Sequence, residues 1–196
     1  MATDLAPGFL VAAPQLKDPN FERTVVFMLE HDDEEGSLGL VINRVAELEI
    51  DEVLELMDVS GDGGDGDGGD GDDGDGGDDG GGDDGGDEAR ANLPGPGDLA
   101  DSPPVMCGGP VSTELGWILH TPDWSGECTR QVGDGVCVSA NLEILEAIGD
   151  GRGPSRYLFC LGYSGWGPHQ LIGEIKSGSW ITVPFAADLI FDVPRE

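Results

Sequence analysis

The sequence predicts an α+β domain built around a substantial sheet. Several runs of strand length are rich in β-branched and aromatic residues, among them "TVVFMLEH" at 24–31 and "RYLFCLGYSGW" at 156–166. Only short stretches show helical spacing. Strand and helix patterns also follow one another without regular βαβ repetition, which argues against a doubly wound parallel sheet.

In chain order, "PGFLVAAP" (7–14) reads as a strand or edge segment, and Asp18-Pro19-Asn20 supplies turn chemistry. The run 24–31 is suited to a buried strand. "DDEEGS" makes a polar turn and "LGLVINR" (38–44) a second strand, so the two form a hairpin. In "LEIDEVLELM" (48–57), Ile50, Val53, Leu54 and Met57 fall at helical spacing, with Asp51 and Glu52 near the N-terminal end that favours acids. From 60 to 104 there is no apolar periodicity, and a segment that buries so little cannot offset its ordering entropy, so this stretch is expected to be disordered.

Order is expected to resume at Val105. "VMCGGPV" and "GWILHTP" read as strands around a turn, and "GVCVSA" as a further strand. "NLEILEAIGDG" reads as a short helix with Asn141 as N-cap and a glycine stop. After the strand at 156–166, "GPHQLIGEIKSG" reads as a helix with Pro168 near its first turn. "SWITVPF" and "DLIFDVP" close the chain as short extended segments.

Charge bounds the partners. The 196 residues carry 40 acids and 9 bases, for a formal net charge of −31. The tract at 61–87 holds 12 of those acids and no base, so 28 acids still face 9 bases elsewhere, and the acidity belongs to the whole chain. Its two lysines and seven arginines never cluster. A field of this sign repels nucleic acid and anionic membrane surfaces, and its simplest consequence is solubility. The N-terminal "MATDLAPGFLVAAPQL" has no basic leader, and its apolar run is short and broken by prolines, which predicts neither a signal peptide nor a membrane span and implies a cytoplasmic protein. Cys107, Cys128, Cys137 and Cys160, at intervals of 21, 9 and 23, contain no CxxC pair and do not read as zinc ligands. Three of them lie in apolar runs, where a reduced cysteine acts as a small hydrophobe. No cofactor or metal is implied.

Four separated motifs, in order, carry a resemblance: PNF-x-x-TVV at 19–26, LGLVINR at 38–44, GGPV at 108–111 followed by a strand ending in His120, and GYSGWGPHQL at 162–171 leading to Glu174. Together they make the chain similar to the YqgE/AlgH family over nearly its whole length apart from 60–104. The resemblance implies one domain spanning 1–196, in which a bifurcated, strongly bent sheet forms a flattened pseudo-barrel with flanking helices. It implies no established activity. One branch of the family carries a transcriptional-regulator label, but no helix-turn-helix is evident here and the charge opposes direct DNA binding.

Set against that family, the tract falls in the loop after the 48–57 helix and reads as an acidic insertion. Lengthening a loop from about 5 to 27 residues costs about 1.5 kcal/mol of closure entropy, which a stable domain tolerates. The alternative is calcium. A β-roll repeat needs a large apolar residue in each turn, and none lies between Gly61 and Asp87. An EF-hand needs a terminal bidentate Glu and flanking helices, also missing. The tract therefore reads as a solvated loop or a weak, nonspecific cation condenser.

The candidate site lies where Asn43-Arg44, Gly108-Gly109-Pro110 and residues 162–170 would converge, because these combine glycine-permitted backbone access with polar side chains. Within it, Tyr163, Gly165, Trp166 and Gln170 are candidate ligand contacts, although Tyr163 and Trp166 equally suit packing of a strand-to-helix corner. "GYSGWG" has the wrong spacing for a G-x-S-x-G nucleophile elbow at Ser164. "CGGPV" lacks the Lys and Ser/Thr of a P-loop. His31, His120 and His169 each close or follow an apolar run and are candidate bases or strand-end polar residues. Arg23 and Arg44 flank the hairpin, where they suit either an anionic ligand or the abundant carboxylates. Two functions follow. One is a binding or regulatory module acting through a protein or small-molecule partner at the GGPV/GYSGWGP face. The other is an enzyme acting on a small anionic metabolite, with Arg44 orienting it and His31 or His120 moving a proton. A histidine clustered with Arg44 in a concave pocket would favour the enzyme.

Overall fold

A computed structural model describes residues 5–47 and 104–192. The 48–57 helix and almost all of the 60–104 insertion lie outside the described residues. The elements in order are β1 (Gly8–Ala12), β2 (Val25–Asp32), β3 (Gly36–Val41), β4 (Met106–Cys107), β5 (Val111–His120), β6 (Arg130–Gly133), β7 (Val136–Ser139), α1 (Leu142–Gly149), β8 (Tyr157–Trp166), α2 (Gln170–Lys176), β9 (Trp180–Pro184) and α3 (Asp188–Phe191). Mostly sheet with few helices, this is the expected α+β arrangement.

The strands form one sheet in the order β6-β7-β5-β8-β3-β2-β1-β9, with β4 also on β8. The sheet forks at β8. Its first half pairs β5 on one edge, Trp117 opposite Cys160, and β4 in parallel on the other, Met106 opposite Cys160. Its last residues pair β3 instead, Ser37 opposite Trp166 and Gly39 opposite Ser164. Strands leaving one central strand in two directions cannot stay flat, and the sheet curls into a half-barrel.

Period-two alternation explains why these strands read as continuous apolar runs, since side chains on successive residues reach opposite faces and both faces are covered. Phe9, Phe27, Leu40, Leu119, Leu158 and Cys160 point to one inner cluster drawn from every strand from β1 to β8, closed by Ile190 of α3. Their neighbours Leu10, Val26, Met28 and Val41 instead pack with Leu171 of α2, Trp166 and Trp180. Ile118, Phe159 and Leu161 pack with Ile144 and Leu145 of α1. α1 and α2 thus each cover one outer patch of the curled sheet, while α3 closes the inner cluster.

Three expectations need correction. Segment 130–133 is an edge strand that was not anticipated, because it pairs only β7 and buries only Val132. "DLIFDVP" is expected to be extended, yet its first four residues form the single turn of α3, too short to show a helical period and held by burial of Ile190. Asn141 occupies the N-cap of α1 with extended backbone but makes no side-chain cap bond, its amide donating instead to Glu143 Oε2 at 3.2 Å. The glycine stop is present, with Gly151 at φ +69° two residues past the helix. Cys137 and Cys160 are buried, Cys107 is half-buried and Cys128 exposed, all as free thiols.

Candidate functional site

The segments expected to converge do meet, but they meet as packed backbone. Gly108 N–H donates to Leu161 O at 2.7 Å, Val41 N–H donates to Gly108 O at 2.8 Å, and Cys107 N–H donates to Arg44 O at 2.8 Å. A Cβ on Gly109 would stand 2.2 Å from the carbonyl of Tyr163, and one on Gly162, at φ +67°, 2.6 Å from Gly109 O. Glycine is required here so that two chain segments can touch. Pro110 is exposed beside them.

Asn43 and Arg44 are also committed locally. Asn43 accepts from Val25 N–H at 2.7 Å and donates to Arg23 O at 3.0 Å. The Arg44 guanidinium donates to the carbonyls of Pro19, Asn20 and Glu22 at 3.0, 2.9 and 3.1 Å. Together they staple the "PNFER" turn, itself started by Asp18 Oδ1 accepting from Asn20 N–H at 2.8 Å, to the end of β3.

At the corner between β8 and α2 a single carboxylate gathers three side chains. Glu174 Oε2 accepts from the indole N–H groups of Trp166 (3.1 Å) and Trp180 (2.8 Å), while Oε1 accepts from Gln170 at 2.9 Å. Gln170 in turn accepts from Gly167 N–H at 3.0 Å. Trp166 is 5% exposed and lies against Phe21 and Trp180 at ring-centroid distances of 6.0 and 5.9 Å. The spacing G-W-G-P-x-Q-x-x-x-E is thus the wiring of one corner.

The three histidines fall in different surroundings. His120 is fully buried, bonded through Nδ1 to Thr121 O at 2.9 Å and through Nε2 to Ser139 Oγ at 3.0 Å, and burial pushes its pKa below the usual value. His169 is exposed at the N-cap of α2, and its backbone N–H donates to Asp33 O at 2.9 Å. His31 opens onto a cleft.

That cleft, about 730 Å³, lies at the end of the β2–β3 hairpin. It is lined by Tyr163, Gly165 and Trp166 from the end of β8, with Val111. The adjoining hairpin contributes Leu29, Glu30, His31, Asp32, Glu35, Ser37 and Leu38. A register shift between Met28 and Glu30 bends β2 at this point, as an extra residue in a ladder does. Its chemistry is acidic and aromatic. Glu30 is ion-paired with Arg130, and the N–H groups of Glu35 and Glu34 hold the Asp32 carboxyl below its usual range. Of the residues singled out in the sequence, Tyr163, Gly165, Trp166 and His31 line this cleft, whereas Asn43, Arg44, Gly108, Gly109, Pro110, His120 and Gln170 do not. Glu30, Asp32, Glu35 and Ser37 went unrecognised because a polar hairpin end resembles any solvated turn. Among the described residues no group of His, Cys, Asp and Glu is placed to hold a metal ion, and no helix is long and apolar enough to cross a membrane.

Comparison with known proteins agrees with this fold. The AlgH-like family model matches residues 9–196. A UPF0301 protein of Shewanella sp. (strain W3-18-1) is 35% identical over 190 residues, covering 96% of this chain and 83% of its own. A UPF0301 protein of Anaeromyxobacter dehalogenans (strain 2CP-1) is 39% identical over 194 residues, covering 98% and 83%. The solution structure of the AlgH protein from Pseudomonas aeruginosa superposes with a TM-score of 0.70 at 30% identity, covering 100% of this chain and 86% of that one. The crystal structure of protein DIP2367 from Corynebacterium diphtheriae, at 18% identity and TM-score 0.61 over 96% and 80%, shares the fold. By sequence, motif order and architecture, this chain belongs to the AlgH-like family.

Proposed function

We propose that this protein is a binding module that takes a small neutral or cationic molecule, or a short segment of a protein partner, in the cleft lined by the β2–β3 hairpin and the end of β8. The observation that carries this reading is the lining itself. A concave site with apolar and aromatic walls and a few convergent polar groups is the usual form of a ligand pocket. Here the carboxylates of Glu30, Asp32 and Glu35 stand among Leu29, Leu38, Val111 and Tyr163. The net charge of −31 works in the same direction, attracting cations and repelling anions. The reading as an enzyme for an anionic metabolite loses its support, because Arg44 is spent on three backbone carbonyls and the histidine in the cleft has no arginine from that staple beside it.

A regulatory role would then run through a bound ligand or protein and not through direct contact with DNA. The test is a thermal-shift screen of the purified protein against neutral, cationic and anionic metabolites, with duplex DNA in the same panel. A ligand at one hundred times its Kd adds about 2.7 kcal/mol of stability. Neutral or cationic compounds are expected to raise the melting temperature, and Tyr163→Ala to abolish the rise. Hits confined to anions, or a DNA complex that persists near physiological salt, would sink the proposal.

A further inference from the structure

Three side chains in and beside the cleft are linked by one hydrogen bond and one charge contact. His31 Nδ1 lies 2.8 Å from Ser37 Oγ, and His31 Nε2 lies 3.3 Å from Asp33 Oδ1. Ser37 sits opposite His31 in the β2–β3 ladder, so the first contact is fixed by strand register, and Asp33 follows two residues on in the turn. The imidazole is 7% exposed and the Asp33 carboxylate 46%. With its proton on Nε2, beside the Asp33 carboxylate, the imidazole turns its Nδ1 lone pair toward the serine hydroxyl. A nucleophile bonded to a base that a third group orients is the arrangement that activates an otherwise weak hydroxyl. His31 and Ser37 both line the cleft, together with Leu38, Val111 and the side-chain-free Gly165.

We propose that Ser37 is an acyl-accepting nucleophile, with His31 as its base and Asp33 as the positioning residue, acting on small uncharged or cationic carboxylic esters. The Ser37 Oγ attacks the ester carbonyl carbon while its proton passes to His31 Nδ1. The ester C–O bond then breaks, and the leaving alkoxide takes that proton. Water attacks the acyl-serine with His31 again receiving a proton, which returns to Ser37 Oγ as the carboxylic acid departs. Atoms and electrons balance with water as the only co-reactant. The carboxylates of Glu30, Asp32 and Glu35 exclude anionic esters by charge. This inference depends on the cleft being open to ligands, as the proposed function requires.

The test treats the full chain with a fluorophosphonate probe and maps the adduct by mass spectrometry, alongside a p-nitrophenyl acetate burst assay. One adduct at Ser37 is expected, and it should be absent in Ser37→Ala. Because a general base contributes about 10²–10⁴ in rate, His31→Asn should slow labelling by a comparable factor. Alkylation of the Ser37→Cys variant by iodoacetamide, mapped to residue 37, reports access to the cleft independently of catalysis. A thiol at 37 that alkylates while the native serine takes no label overturns the nucleophile and leaves the cleft standing. A folded Ser37→Cys protein that resists alkylation at 37 overturns both.

Discussion

At the scale of single residues, the densest wiring is at the corner after β8. Trp166 contributes a buried indole to the cluster beneath α2, a hydrogen bond to Glu174 and contacts with Phe21 and Trp180. Trp166→Ala removes all three and leaves a cavity, so it is expected to cost about 3–5 kcal/mol, a large share of the stability of a domain of this size. Ser164 is just as buried, yet its hydroxyl only donates to Gly108 O at 3.2 Å, and that carbonyl keeps the N–H of Val41. Ser164→Ala is therefore expected to change stability by less than about 1 kcal/mol. Urea unfolding of the two variants checks both numbers. A Trp166→Ala protein with native stability that no longer binds a hit from the ligand screen would make this corner functional and not structural.

At the scale of elements, the β2–β3 hairpin carries two different kinds of polar residue at its two ends. At the open end, Asn43 and Arg44 hold the turn at 18–23 against β3. At the closed end, His31, Ser37 and the carboxylates face the cleft. These ends should respond differently to mutation. Arg44→Ala strands three carbonyls that had a charged donor and is expected to lower stability by about 1–3 kcal/mol, with Arg44→Lys only partly restoring it because an ammonium lacks the planar fork. Ligand binding by the folded fraction should be unchanged. An Arg44→Ala protein of native stability that loses binding would show that the guanidinium meets the ligand after all.

At the scale of the whole molecule, the chain leaves and re-enters the described fold at one place. Val45 bridges Met106, and Ala46 N–H donates to Val105 O at 2.8 Å, so the two ends of segment 48–103 are joined before it begins. Replacing 60–87 by a short Gly/Ser linker therefore shortens a segment whose flanks are already pinned to each other. The logarithmic dependence of closure entropy on length predicts a gain of at most about 1.5 kcal/mol, with relief of charge repulsion adding to it. Calorimetry of the shortened chain tests this. A fall in melting temperature of more than a few degrees would mean that the tract makes contacts the domain needs.

The sequence by itself determined the fold class, the hairpin and most of the strands, because β-branched runs, turn residues and glycine stops act over a few neighbours. It also determined the sign of the electrostatic field, since 40 acids against 9 bases need no geometry to be felt. The edge strand β6 and the single turn α3 escaped it. Each is held by one buried residue, Val132 or Ile190, whose burial comes from distant parts of the chain. Only the tertiary structure decided which polar residues hold backbone together and which line the cleft. Arg44 and the glycines of GGPV look like anion-binding chemistry in one dimension but spend their hydrogen bonds and space on backbone brought in by long-range pairing. Ser37 and His31, six residues apart, look like ordinary strand-end residues until the register of β2 on β3 sets them opposite each other. Register is a property of paired strands, set here by the length of the turn at 33–35 and by the core that selects which face of each strand is buried.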